Sequence, residues 1–202
     1  MSKGRGTAKT IERPPALRVE TRRPFSFVHI NKCGGSSVEI ALGLGKRHTP
    51  AMVLRDEMGA EAWDRAYTFT VVRNPFERVV SIYFYRVRTD IGGMVDRHLN
   101  VNAWIRKVWG ERDPEYWEDS ILLAPAVDWL REDGRMLVDK VARLERIDED
   151  WREIAQELGV DIALKQWNWN RHPPYRLLLS NEARAVIEDA FAEDLEMFGY
   201  AY

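Results

Sequence analysis

The chain has 202 residues, 45% of them hydrophobic, which is enough for one substantial core with at most a small appended subdomain. Its 30 Lys and Arg against 32 Asp and Glu leave a net charge of −2, so no general attraction to nucleic acid or to an anionic membrane surface is expected. Cys33 is the only cysteine, which excludes an intramolecular disulfide and a cysteine-rich metal site, and no run reaches the roughly 18 apolar residues of a membrane span.

In chain order, residues 1–23 make a basic, polar arm (Lys3, Arg5, Lys9, Arg13, Arg18, Arg22, Arg23) that reads as flexible. The arm lacks the apolar centre of a secretory signal, and the chain reads as a cytoplasmic protein. Residues 24–202 read as a single domain. Residues 25–30, FSFVHI, have the continuous apolar character of a buried parallel strand. A lysine, two glycines and two hydroxyl residues follow, and a helix is expected over 36–44, closed by Gly43 or Gly45. Residues 50–66 are amphipathic, with Met52, Leu54, Met58 and Trp63 turned inward. A second strand over 68–72 ends at Arg73. The Asn74-Pro75 pair then starts a helix over 75–87, since proline at the first helical position loses no needed hydrogen bond. Residues 88–125 form an irregular, aromatic-rich insert with a short helix around 103–109. Residues 126–130 and 136–141 flank a polar turn and read as a hairpin or paired strands. Asp148 caps a helix to Leu158, ended by Gly159, and Ser180 caps a final helix through about residue 197. The alternation of strands and helices is that of an α/β fold.

Two segments carry chemistry. In residues 25–37, FSFVHINKCGGSS, a strand runs into glycines that let consecutive backbone N–H groups turn inward, while Lys32 adds a full positive charge. That pattern cradles an anion. In residues 67–83, YTFTVVRNPFERVVSIY, a second strand ends in Arg73 and its helix carries Ser81 eight positions later, about two helical turns on. Arginine suits phosphate because its fork offers two parallel hydrogen bonds. A nucleotide triphosphatase loop would place its lysine after the second glycine, whereas Lys32 precedes both. A dinucleotide fingerprint is absent, and Glu39 stands where a cysteine phosphatase loop would need its closing arginine.

The segment HINKCGGSS resembles the 5′-phosphosulfate loop of the sulfotransferases, and VVRNPFERVVSIY resembles their 3′-phosphate motif almost residue for residue. The likeness runs from Phe25 through most of the chain and is nearest the carbohydrate-type branch, which includes the heparan and chondroitin enzymes. It implies a P-loop-like, three-layer α/β core with a central parallel sheet and helices on both faces. The donor, 3′-phosphoadenosine 5′-phosphosulfate (PAPS, leaving as PAP), would lie at the C-terminal strand ends. Lys32, Cys33, Gly34, Gly35, Ser36 and Ser37 would hold its 5′ end, and Arg73 and Ser81 its 3′-phosphate. Lys32 would also be catalytic, neutralising charge on the bridging oxygen as PAP leaves. The reaction needs no obligatory metal, and the acceptor would be a carbohydrate or another small hydroxylated molecule.

His48 is the expected general base, because a histidine titrates near neutral pH and relatives place one between the two motifs. Glu39 and Glu57 are lesser candidates. His29 is expected to brace the loop through a hydrogen bond, and His98 receives no role. Two departures from the family pattern stand out. Asn31 replaces proline, which should loosen the start of the loop. Cys33 replaces threonine, and beside Lys32 its thiol is expected either to have a depressed pKa or to be a small residue with only its N–H in use. Residues 166–175 resemble the family's late loop over the donor, where Arg171 would add a phosphate contact. The rival reading is a non-catalytic module that binds PAP or adenine nucleotide, with a kinase-like phosphotransferase as a third.

Overall fold

The computed structural model describes residues 19–117, 121–165 and 172–202. Strand β1 (Phe25–Val28) leads through a tight loop into helix α1 (Gly35–Ala41), and α2 (Ala51–Met58) and α3 (Ala60–Arg65) precede strand β2 (Tyr67–Val72). Arg73 and Asn74 connect β2 to the long helix α4 (Pro75–Thr89). Then come α5 (Met94–Arg97), α6 (Val101–Ile105) with a π-helical turn at Arg106–Gly110, a 3₁₀ turn at Ile121–Leu123, and α7 (Val127–Leu130). A small hairpin, β3 (Arg131–Glu132) and β4 (Arg135–Met136), is followed by β5 (Lys140–Arg143), α8 (Ile147–Leu158), α9 (Tyr175–Leu178), α10 (Asn181–Ala190) and α11 (Ala192–Met197).

The main sheet has the order β1-β2-β5 and is parallel throughout, with Val28 beside Thr70 and Val72 beside Arg143. Central β2 is buried at all six positions. Its threonines stay satisfied there: Thr70 donates to the Val28 carbonyl at 2.8 Å, and Thr68 to Asp139 at 2.9 Å. One face of the sheet packs Val28 and Val72 against Ala51, Trp63, Trp129 and Leu130 of α2, α3 and α7. The other packs Phe69, Val71 and Ala142 against Val38 of α1 and Trp151, Ile154 and Leu158 of α8. A third cluster joins α4, α6 and α10 through Phe76, Val80, Trp104, Ile105 and Ile187. This is the expected α/β core, a central parallel sheet with helices on both faces. Because all three strands run the same way, the loop after β1, Arg73 after β2 and Glu145 after β5 gather at one edge.

Several local expectations are corrected. The amphipathic stretch 50–66 is two helices, broken at Gly59 with φ 85°, so Met52 and Met58 turn outward and Ala51 and Trp63 supply the buried face. Residues 127–130 form a helix rather than a strand, because the buried Asp194 carboxylate accepts from the N–H groups of Ala126 (2.7 Å) and Val127 (2.9 Å). The final helix is interrupted at Phe191, whose ring enters the third cluster. Ser180 does cap α10, accepting from Ala183 N–H at 3.2 Å.

Residues 19–23, the end of the expected arm, rest on α8: the Arg22 N–H donates to the Leu158 carbonyl at 2.7 Å, one of the carbonyls a helix end leaves over. The rest of the arm, residues 1–18, lies outside the described residues. Among the described residues no helix is long and apolar enough to cross a membrane.

Candidate active site

The first motif is a turn forced by its backbone. Lys32 has φ 64° and Gly34 φ 81°, both left-handed. For a lysine that conformation costs about 1–3 kcal/mol, which the surrounding contacts must hold in place. The glycines are demanded by close approach. A Cβ on Gly34 would stand 2.6 Å from Leu144 Cδ1, and one on Gly35 2.1 Å from His29 Cδ2. Ser36 and Ser37 follow in the first turn of α1.

The start of the loop is not loose. Asn31 Nδ2 donates to the Leu122 carbonyl at 3.0 Å, and the buried Arg78 donates to Asn31 O (3.3 Å), Asn31 Oδ1 (2.9 Å) and Ala124 O (2.9 Å). The asparagine side chain does what a proline would do by ring closure. Cys33 is fully buried among Val28, Ile30 and Trp129, and burial pushes its thiol up to about 11. The expectation of a low-pKa, oxidation-prone thiol is overturned. Of the two readings of Cys33, a small residue matches this burial, with its N–H 3.4 Å from the Ile30 carbonyl.

The second motif meets the first. Asn74 caps α4, its Oδ1 accepting from Phe76 N–H at 3.0 Å, with Pro75 at the first helical position as expected. Arg73 donates through Nη1 to the Lys32 carbonyl at 3.2 Å and through Nη2 to Glu77 Oε1 at 3.1 Å. Residues 73, 77, 81 and 85 recur at intervals of four, so Glu77, Ser81 and Tyr85 form one stripe along α4, with Arg73 at its head. Lys32 bridges this stripe, for its ammonium lies 4.4 Å from the centroid of the Tyr85 ring. Ser81, 1% exposed, stands between. Burial first, and then the charges of Arg88, Arg73 and Lys46, draw the Lys32 pKa down to about 8. Glu77 also lies 3.8 Å from His172 Nε2, and the His172 ring stacks on Phe84 at 5.4 Å. Arg171 lies outside the described residues, as does the rest of 166–171.

The strand end β5 braces the same edge. Glu145 accepts from Asn74 N–H at 2.7 Å and from the Tyr200 hydroxyl at 2.8 Å, while Asn74 Nδ2 donates to the Ala201 carbonyl at 3.1 Å.

His48 is half-buried. Its Nδ1 donates to the His29 carbonyl at 3.1 Å, which leaves the lone pair on Nε2. Burial, and then the neighbouring His29, hold its pKa below the ordinary value. His29, as expected, is buried and hydrogen-bonded, with Nδ1 on Glu39 Oε1 at 2.5 Å. Glu57 pairs with Arg47 at the surface, and exposed His98 ends α5 beside Leu99, whose carbonyl accepts from the Tyr83 hydroxyl at 2.7 Å. Sequence reasoning missed Arg78, Tyr85 and Glu77 as parts of this site. The interval of four from Arg73 and Ser81 was a signal for the last two, whereas the contacts of Arg78 had none.

Clefts of about 500 and 520 Å³ open elsewhere, around Asp139 before β5; they reach Tyr67 and Thr68 at the start of β2 but none of the described residues expected to hold an anion. Chemistry rather than volume marks the site. Among the described residues, no group of three His, Cys, Asp or Glu side chains could hold a metal ion.

The Sulfotransferase family model matches residues 15–201. A curated relative, an uncharacterised protein of Archaeoglobus fulgidus, is 25% identical over 111 residues, which is 55% of this chain and 82% of that one. Among solved structures, a sulfotransferase from Alicyclobacillus acidocaldarius is similar at 20% identity and a TM-score of 0.42, over 75% of this chain and 60% of that one. The chain therefore spans less than two thirds of that protein.

Proposed function

The chain belongs to the sulfotransferase family, and on that premise we propose that it moves a sulfuryl group from PAPS to a hydroxyl of a carbohydrate or other small hydroxylated acceptor. The observation that carries this reading is the excess of positive charge at the loop. Lys32 loses proton affinity to burial and to the charges of Arg88, Arg73 and Lys46, and an anion there would offset the repulsion from all three cations. The cradle also fits, since neither Gly34 nor Gly35 has room for a side chain.

Lys32, Gly34, Gly35, Ser36 and Ser37, with the backbone of Cys33, would hold the 5′-phosphosulfate. Arg73 and Ser81 would hold the 3′-phosphate, with Arg171 as a further contact. When bound, PAPS supplies an activated sulfuryl group and a stable leaving group. Protonated Lys32 would place positive charge against the bridging oxygen as it becomes an anion; removing one such preorganised donor commonly costs on the order of 10²–10³ in rate. His48 would take the acceptor hydroxyl proton on Nε2, the nitrogen its hydrogen bond to the His29 carbonyl leaves unprotonated. Most of the acceleration would come from positioning and charge stabilisation, as in phosphoryl transfer.

The test is calorimetric titration with PAP, 5′-AMP and ATP·Mg²⁺. Tight PAP binding, much weaker AMP binding and no metal requirement support the reading. Equal binding of PAP and AMP, or a preference for ATP·Mg²⁺, refutes it.

A further inference from the structure

The geometry points to Glu39 and His29 as a buried positioning pair that sets the orientation and tautomer of His48, an inference that rests on His48 as the base. Glu39 lies in α1 and is 1% exposed, an unusual place for a carboxylate unless it organises its surroundings. One oxygen, Oε1, serves two separate segments: it accepts from the His29 ring at 2.5 Å and from the Arg47 N–H at 3.0 Å. The first contact fixes the imidazole at the end of β1. The second fixes the backbone immediately before His48.

His48 is thereby held twice. Its ring lies 4.2 Å from the His29 ring, centroid to centroid, and its Nδ1–H reaches the carbonyl of that same residue. Arg47 is anchored on the outer side, where Nε donates to Thr49 Oγ1 at 2.9 Å and the guanidinium pairs with Glu57. The His29 ring also backs the cradle, because it occupies the space a side chain on Gly35 would need. One buried carboxylate thus ties the floor of the phosphosulfate loop to the segment that presents the base. The charged and titratable groups acting on His48 are His29, Lys46 and Glu39. A base aligned by a second group that is itself anchored by a carboxylate follows the general logic of oriented bases.

Long-range ¹H–¹⁵N NMR of the ¹⁵N-histidine-labelled full chain tests this, the four histidines being assigned by single His→Gln variants. At pH 7.5 wild-type His48 should be a single neutral Nδ1–H tautomer. In Glu39→Gln, which keeps the side-chain volume, the His48 signals should move towards tautomer averaging. A purely structural Glu39 would lower the melting temperature and leave the tautomer alone, which overturns the inference. So does an Nε2–H tautomer in the wild type, a result that decides even if the variant fails to fold. Loss of the tautomer in a protein that transfers no sulfuryl group would uphold the pairing and sink only the proposed activity.

Discussion

The Lys32 carbonyl accepts a hydrogen bond from Arg73 at 3.2 Å, although 41 residues separate them. The two motifs are therefore one construction, joined by their own contacts. On the proposed reading Arg73 would be shared between shaping the loop and holding a ligand, and Glu77 occupies another of its N–H groups.

Replacing Arg73 should accordingly do more than delete one contact. Arg73→Ala is expected to weaken PAP binding by at least the roughly 1.5–3 kcal/mol of a charged hydrogen bond. Arg73→Lys should recover only part of it, because lysine has no fork. Calorimetry with PAP and 5′-AMP separates the two duties. Equal losses for both ligands would mean that Arg73 serves only the loop.

His48→Ala should abolish turnover and leave PAP affinity unchanged. The pH profile gives an independent check. A base works deprotonated, and the His48 pKa is held below 6.5, so the acid limb of kcat/KM should fall below that value. Lys32, if it acts as proposed, would work protonated, and its pKa is drawn down to about 8, so the alkaline limb should begin there. Full activity up to pH 9.5 in kcat/KM for PAPS would contradict the Lys32 assignment.

Gly35→Ala places a methyl group 2.1 Å from the His29 ring. The expected outcome is a loss of about 1–3 kcal/mol in denaturant titrations together with loss of PAP binding. Gly45→Ala is the control, since nothing lies within 4 Å of that position and its φ is ordinary.

Cys33 should resist thiol reagents at pH 8 in the folded protein and react at the rate of unfolding, as its burial and raised pKa require. Rapid native-state labelling would show that the loop opens.

The parts of the site readable from sequence were those built from neighbours in the chain. Strand ends, the Asn74-Pro75 helix start and the glycine turn announce themselves within a few residues, because caps and turns are local chemistry. What stayed hidden depends on partners far along the chain. Residues 127–130 become helical through the carboxylate of Asp194, whose N–H partner at Val127 is 67 residues away. Asn31 tightens the loop only because Arg78 and Leu122 meet it in space. The outward turn of Met52 and Met58 follows from one backbone angle at Gly59, which periodicity cannot register. The triangle of His29, Glu39 and His48 is of the same kind: each residue was visible as a titratable group, and none announced the others.

The ties from Glu145 to Tyr200, and from Asn74 to Ala201, have a practical side. The start of α4 is moored to Ala201 directly and to Tyr200 through Glu145. Cutting the chain after Gly199 would take Tyr200 out of the cluster around Val28 and Trp129 and Tyr202 off Phe76, and would slacken the mooring on which Arg73 is aimed. Nucleotide affinity and melting temperature should then decline together, and a fusion partner attached to Tyr202 would pull on the same line.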